Sequence, residues 1–159
     1  MISIPKRPSS RARFEGGRLH YQPYAQDELV LAVPIVHHWA SRSTVRPSDL
    51  IDQPFVLRER GSGTRKTMEE ALSPHGVDPS RLRVVLEASG NEAVRQALKA
   101  GAGISIISRR AIEDEVRHRM LAALRIRGVK MVRDFYLVTH KSRSRSPLAN
   151  AFLSFLEQS

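Results

Sequence analysis

The stretch "LRERGSGTRKTMEEAL", at residues 57–72, joins a short apolar run to a segment of helical character. Gly61 and Gly63 bracket Ser62, and Thr64 follows directly. Glycine lets backbone N–H groups turn toward one point, and the N-terminus of a helix carries partial positive charge. The stretch therefore predicts a strand, a tight turn and a helix whose start suits a carboxylate, sulfate or phosphate oxygen. A turn in which Ser62 or Thr64 only caps its own helix is an equal alternative.

Apolar runs on both sides of this stretch predict the strands of a sheet. The run at residues 28–33 is typical of a strand buried on both faces, as in parallel sheets. Further strands are predicted at residues 55–59, 83–87, 104–107, 121–126 and 134–139. Helices are predicted at residues 65–72, 91–100, 108–116 and from 146 onward. This alternation predicts an α/β fold with a mostly parallel sheet and ligands beyond the carboxyl ends of its strands.

The helix predicted at residues 91–100 has signals at both ends. Ser89 and Glu92 have the spacing of a capping box, and this explains them better than a ligand would. Asn91 is freer to face a ligand. Gly101 is placed to end the helix, as a glycine just past a helix commonly does.

The glycine-rich link "AGAGIS", at residues 100–105, leads from this helix into the next strand. Gly103 is expected to let the chain pass closely into that strand. Ser105 is placed to face either a cleft or a neighbouring strand. The link is no dinucleotide fingerprint, because it follows a helix instead of preceding one.

Positive charge is concentrated near the N-terminus and in one short segment. The chain of 159 residues has a net charge of +10, of which residues 1–20 carry +4 and residues 140–146 carry +3. Residues 1–20 are rich in Ser, Arg, Pro and Gly without a sustained period, and predict a basic disordered arm. Charge without a recognition element supports nucleic-acid binding only as an alternative function.

Catalysis, metal binding and membrane insertion find no support in the sequence. There is no Gly-x-Ser-x-Gly or His-Glu-x-x-His motif, no cysteine, and no metal-ligand spacing among the six histidines. No apolar run approaches the about 20 residues that cross a bilayer, and the N-terminus lacks the apolar segment of a secretory signal. We expect a cytoplasmic protein that is not an enzyme and has no catalytic residue, metal, cofactor or membrane partner.

Taken together, these segments resemble the effector-binding domain of LysR-type transcriptional regulators. "DELVLAVP" followed by "HHWA" is similar to the family's "DELVLVVP…HPLA", and "FVLRERGSGTR" is similar to its "FILRE.GSGTR". "LEASGNEAVRQALKAGAGISIISRRAIEDEV" resembles the helix, glycine turn and strand that follow in the family. "RDFYLVTHKSRSRSPLANAFLSFL" resembles its closing strand and helix. The resemblance runs in family order from about residue 27 to residue 156.

The resemblance implies a fold akin to type 2 periplasmic binding proteins, with one complete lobe plus part of the second. Its effector-binding domain would occupy residues 21–159. The second lobe would take about residues 34–119, and first-lobe remnants about residues 27–33 and 120–157. The effector contacts that the resemblance implies are Ser62, Gly63, Thr64, Asn91, Gly103, Ser105 and Ile106.

The implied function is sensing of a small, anionic effector that changes how a dimer or tetramer sits on DNA. The family's helix-turn-helix and the opening half of its first lobe have no counterpart in this sequence. We therefore expect weak or absent effector binding, and DNA contact only through the missing helix-turn-helix. A homo- or heterodimer is expected through the uncovered first-lobe edge. The alternatives are a nucleic-acid-binding module using the basic arm and a stand-alone small-molecule-binding protein.

Overall fold

The computed structural model describes residues 18–141 and 146–157 of the chain. The strands are β1 (Leu19–Pro34), β2 (Thr44–Val45), β3 (Pro54–Arg58), β4 (Arg83–Ala88), β5 (Ser105–Ser108), β6 (Leu121–Ile126) and β7 (Val132–His140). The helices are α1 (Gly63–Leu72), α2 (Gly90–Lys99), α3 (Glu113–Arg117) and α4 (Pro147–Glu157). Within the described residues, none of the helices has the length and apolar character of a membrane span.

The chain divides into two compact units. The larger is Gln26–Asp134, and the smaller takes the described residues up to Ala25 and from Phe135 onward. The sequence-based division instead assigned residues 27–33 and 120–157 to the first lobe. In the structure the strands of residues 27–33 and 121–126 pair with each other, and both lie in the larger unit.

The larger sheet has the strand order β2-β6-β1-β5, and β7 also pairs with β1. The prediction of a mostly parallel sheet is wrong here, because β1 runs antiparallel to both β5 and β6. Parallel pairing is found between β2 and β6, and between β3 and β4 of the second sheet. An apolar run indicates burial on both faces, but it carries no information about the direction of the neighbouring strand.

The C-terminal half of β1 is buried on both faces, as its apolar run predicts. Leu29, Leu31 and Val33 belong to one apolar cluster with residues of α1, β3 and β6. Val30 and Ala32 belong to a second cluster with residues of α2, β5 and β6. Because successive side chains of a strand point to opposite faces, β1 separates the two clusters. This arrangement fixes α1 and α2 on opposite sides of the strand.

β1 begins nine residues earlier than predicted, at Leu19 instead of residue 28. Its first part, "LHYQPYAQ", alternates polar and apolar residues and is largely exposed, which is typical of a strand covered on one face only. The predicted arm at residues 1–20 is therefore wrong for Leu19 and His20, while residues 1–17 lie outside the described part. Residues 142–145, within the second basic segment, also lie outside it.

Helix α2 ends as predicted but begins differently. Gly101 has a φ of +78°, and the N–H groups of Gly101 and Ala102 donate to the carbonyls of Leu98 (2.9 Å) and Ala97 (3.0 Å). These two bonds form a Schellman motif. The predicted capping box is wrong, because the Ser89 side chain makes no cap hydrogen bond.

The hydrogen bonds of the Glu92 carboxylate explain why the predicted capping box does not form. It accepts hydrogen bonds from Arg95 and from Gln96, which both lie further along the same helix. It therefore does not turn back to the N-cap backbone. On the same helix Val94 and Leu98 are buried, whereas Ala93 is exposed.

A histidine pair lies beside Trp39 in the turn after β1. The rings of His37 and His38 stack at 4.3 Å between centroids, and the His37 ring meets Trp39 edge-on at 5.2 Å. His37 Nδ1 accepts from the Trp39 N–H (3.1 Å), and Nε2 lies 3.2 Å from Gln53 Oε1, which fixes the Nε2–H tautomer. Burial lowers the pKa of His37 from its ordinary value of 6.5.

Candidate functional site

The turn between β3 and α1 brings a helix N-terminus to the carboxyl end of a buried strand. Gly61 adopts a φ of +91°, a left-handed conformation that glycine reaches without strain. Ser62 then takes the N-cap position in an extended conformation, and its N–H donates to the Glu59 carbonyl (3.1 Å). The predicted order of strand, glycine turn and helix is confirmed.

The first turn of α1 presents backbone donors. The first intrahelical bond runs from the Lys66 N–H to the Ser62 carbonyl (3.0 Å). The N–H groups of Gly63, Thr64 and Arg65 precede that bond, so they have no acceptor within the helix. The Ser62 side chain makes no cap hydrogen bond. The alternative in which Ser62 only caps its own helix is therefore wrong.

A buried polar network reaches this turn through Thr64. Arg133 Nη1 donates to Thr64 Oγ1 (3.1 Å). The same guanidinium donates through Nε to Asp27 Oδ2 (2.8 Å), and its Nη2 forms an ion pair with that oxygen (2.7 Å). Asp27 Oδ1 accepts from Ser108 Oγ (2.7 Å). Asp27 and Thr64 are each 2% exposed. The network thus ties β1, β5 and β7 to the start of α1.

Asp27 and Arg133 were not among the sequence-predicted site residues. Each lies where an apolar strand segment begins, in "DELVLAVP" and "RDFYLVT". A charged residue at the entrance of a buried strand usually needs a partner, because an unpaired buried charge is costly. That signal could have marked both residues as candidates for a pair.

A second polar cluster surrounds Asn91 at the start of α2. Asn91 Oδ1 accepts from Arg58 Nη1 (2.6 Å), so the amide oxygen already has a protein partner. Arg58 also donates from Nε and Nη2 to the two carboxylate oxygens of Glu59, both at 2.7 Å. Glu59 Oε2 accepts from the Gly90 N–H (3.2 Å). Arg58, which is not among the effector contacts predicted from the sequence, joins the end of β3 to the start of α2.

The Glu59 carboxylate should make the free energy of unfolding depend on pH in the acidic range. Its hydrogen bond with Arg58 is the main cause that lowers the pKa of Glu59 from 4.5 to about 2. Its contribution to the free energy of unfolding is therefore present above pH 4.5 and is lost as the pH falls toward about 2. In urea unfolding across this range, Glu59→Gln should lose less stability than the unchanged chain. Glu70→Gln, at an exposed helical position, is the control. The prediction would be contradicted if the free energy of unfolding fell equally with pH in Glu59→Gln and in the unchanged chain.

Three further predicted effector contacts, Gly103, Ser105 and Ile106, are buried in the structure. A Cβ on Gly103 would lie 2.3 Å from the Pro54 carbonyl oxygen, so the expected close passage of the backbone is confirmed. Ser105 Oγ donates to the Val56 carbonyl (2.7 Å). Of the two orientations that the sequence left open, Ser105 therefore faces the neighbouring strand β3 and not a cleft. Ile106 packs in the first apolar cluster. Effector contact by these three residues stays a prediction.

Chemically, the site offers donors for an oxyanion and no metal cage. Backbone N–H groups, two hydroxyls and a guanidinium meet around Ser62, Gly63 and Thr64. Among residues 18–141 and 146–157, no three His, Cys, Asp or Glu side chains cluster as a metal ion would require.

The family model described as LysR substrate binding domain matches residues 10–159. The chain belongs to this family. The match begins at residue 10, so residues 10–20, expected to lie outside the resemblance, are part of it. The resemblance and the α/β fold class akin to type 2 periplasmic binding proteins are confirmed.

Curated relatives of the LysR-family chain are transcriptional regulators. The HTH-type transcriptional regulator CbbR of Rhodospirillum rubrum is 37% identical over 145 residues, which cover 89% of this chain and 47% of that protein. The RuBisCO operon transcriptional regulator of Acidithiobacillus ferrooxidans is 36% identical over 135 residues, which cover 85% and 43%. The chain thus spans less than half the length of these relatives. Their names describe regulators and not enzymes.

A solved structure of similar fold is the CcmR regulatory domain of Synechocystis PCC6803 in complex with 2-PG. Its TM-score is 0.78 at 31% sequence identity, and the match covers 98% of this chain and 70% of that one. The prediction that this chain is a regulatory domain of the LysR type is confirmed.

Proposed function

We propose that this LysR-family chain senses a small anion at the N-terminus of α1 and thereby controls transcription in the whole protein. The observation that carries the proposal is the set of N–H groups of Gly63, Thr64 and Arg65, which lack helical acceptors. The Thr64 hydroxyl and the Arg133 guanidinium lie beside them. A transcription regulator acts where its DNA is, so the proposal implies a cytoplasmic location.

The donors favour a carboxylate or phosphate over a neutral ligand. An anion at a helix N-terminus gains from the helix dipole and from charge-assisted hydrogen bonds with the N–H groups. The CcmR regulatory domain was solved with 2-PG, which makes 2-PG the first compound to test. Asn91, Gly103, Ser105 and Ile106 remain proposed contacts for the rest of such a ligand.

An NMR titration tests the proposal and tolerates weak binding. Increasing 2-PG, and in a second arm inorganic phosphate, should shift the backbone amide signals of Gly63, Thr64 and Arg65 before those of other residues. Thr64→Val removes one hydroxyl at nearly constant volume and should lower the affinity about tenfold, the value of a hydrogen bond to a charged group.

Thr67→Val serves as the matched control, because it removes a hydroxyl one turn further along α1. It should leave the titration unchanged. Shifts confined to basic surface residues, or equal affinity in Thr64→Val, would contradict anion sensing at this turn.

We further propose that two copies of the chain associate through β4. Among the described residues, β4 pairs with β3 on one edge only. Val84, Val85 and Leu86 are each between 42% and 47% exposed, which is unusual for three consecutive large apolar residues. An edge strand with unpaired backbone groups and apolar side chains is a template for pairing with a second copy. A lysine there would oppose this pairing.

Sedimentation at increasing protein concentration tests the dimer. The unchanged chain should sediment as a dimer, and Val85→Lys should weaken association by roughly tenfold or more, because it places a charge in an apolar interface. Val36→Lys is the control, since Val36 is 88% exposed in a turn. A monomeric unchanged chain, or a Val85→Lys chain that still dimerises fully, would count against β4.

A further inference from the structure

We propose that Arg133 is a positioning residue for anion binding, which orients the Thr64 hydroxyl so that its hydrogen is donated to the ligand. The inference rests on the proposed function and deepens it by assigning a task to a residue outside the glycine turn. Asp27, in turn, holds Arg133 in place for that task.

The first argument is the direction of the hydrogen bond between Arg133 and Thr64. A guanidinium only donates, so at the contact between Arg133 Nη1 and Thr64 Oγ1 the threonine oxygen is the acceptor. A hydroxyl that accepts in one direction keeps its single hydrogen for another. Within the part of the chain that the structure describes, Thr64 Oγ1 makes no other hydrogen bond. Thr64 is buried at the start of α1, next to the N–H groups of the first turn.

The fixed geometry of the guanidinium carries the second step. Nε donates to Asp27 Oδ2 and Nη2 forms an ion pair with the same oxygen, and these two contacts set the plane of the group. Nη1 then points to Thr64 as a consequence of that plane. Ser108 occupies the other carboxylate oxygen of Asp27, so the carboxylate itself is fixed. Lysine could keep the charge but has one nitrogen, and cannot serve Asp27 and Thr64 in the same way.

The third argument is polarisation of the Thr64 hydroxyl by the Arg133 guanidinium. A hydroxyl that accepts from a cation becomes a stronger donor, because bonds in a chain polarise one another at low dielectric. Thr64 would therefore bind an anion more strongly with Arg133 in place than without it. The two residues should act as one unit, and a purely structural ion pair between Asp27 and Arg133 would show no such coupling to Thr64.

A double-mutant cycle with inorganic phosphate as the probe tests this coupling. The initial slope of the amide shifts of Gly63 and Arg65 against phosphate concentration reports relative affinity. Thr64→Val and Arg133→Lys should each lower the affinity roughly tenfold. The double variant should lose little more than either single variant, because both remove the same donor.

Arg109→Lys is the matched control, because Arg109 pairs with Glu28, the neighbour of Asp27 on β1. It should leave phosphate affinity unchanged. Additive losses in the double variant, or an Arg133→Lys chain that binds phosphate as tightly as the unchanged one, would overturn the inference while leaving the proposed function intact.

If Arg133→Lys fails to fold, the neutral combination Asp27→Asn with Arg133→Gln takes its place. It keeps a hydrogen-bonded pair and avoids a buried unpaired charge. The same two results then decide: coupling with Thr64→Val supports the inference, and additivity overturns it. If the unchanged chain shows no phosphate-induced shifts at the first turn of α1, both the proposed function and this inference are wrong.

Discussion

Replacing Gly103 with alanine should destabilise the larger unit by about 3 kcal/mol or more. The new Cβ would lie 2.3 Å from the Pro54 carbonyl oxygen and 2.8 Å from its carbon. That carbonyl is itself fixed, because it accepts from the Ile104 N–H (2.8 Å). The clash is therefore with backbone that cannot yield without breaking the bridge between β3 and the start of β5. Urea unfolding followed by circular dichroism measures the loss.

Gly76→Ala is the control for this prediction. Gly76 has a positive φ, of +77°, whereas Gly103 does not, and no atom lies within 4 Å of a Cβ placed on Gly76. Its cost should stay at about 1 kcal/mol, the penalty of a left-handed conformation for alanine. Equal losses at Gly76 and Gly103 would show that the close approach to Pro54 is not what requires glycine.

Replacing Arg133 with methionine should cost about 3 kcal/mol of unfolding free energy, because it removes one partner of a buried ion pair and leaves the Asp27 carboxyl group buried without it. Asp27 is 2% exposed, and the Arg133 side chain is 15% exposed. Thr64 would lose its donor at the same time. Urea unfolding at neutral pH measures the change.

The pair of Arg109 and Glu28 offers the comparison. These side chains are 46% and 41% exposed, and their Nε–Oε2 distance of 2.9 Å resembles that of the buried pair. Arg109→Met should cost less than about 1 kcal/mol, since water screens an exposed pair. If Arg133→Met were no more harmful than Arg109→Met, the buried network would not hold the strand ends together.

The local parts of the fold could be predicted from the sequence. Strand β6 has the predicted bounds, and α1 begins at the glycine turn that marked it. Strand direction could not be predicted, because the apolar run of β1 fits antiparallel neighbours as well as parallel ones. The early start of β1 was missed because its first half is exposed and alternates, which is a weaker signal than a continuous apolar run.

The candidate site, too, could be predicted where its residues are adjacent in sequence and could not be predicted where they are distant. Ser62, Gly63 and Thr64 are contiguous, so the turn that presents their donors can be recognised from the local sequence. The partner of Thr64 is 69 positions away, and no local pattern brings Arg133 to it. The capping box failed for a related reason, because Glu92 had nearer partners on its own helix than the N-cap. Competition among partners is a property of the folded chain.

The aromatic group in the turn after β1 gives the protein a built-in optical probe. Trp39 is the chain's single tryptophan, and it is buried in the same apolar cluster as Leu31 and Phe55. Its fluorescence therefore comes from one known place in the core, without a label. The neighbouring imidazole ring of His37, which meets the indole edge-on, can quench it when it carries a proton. The emission wavelength would then report solvent entry into the core, and the emission intensity would follow the protonation of His37.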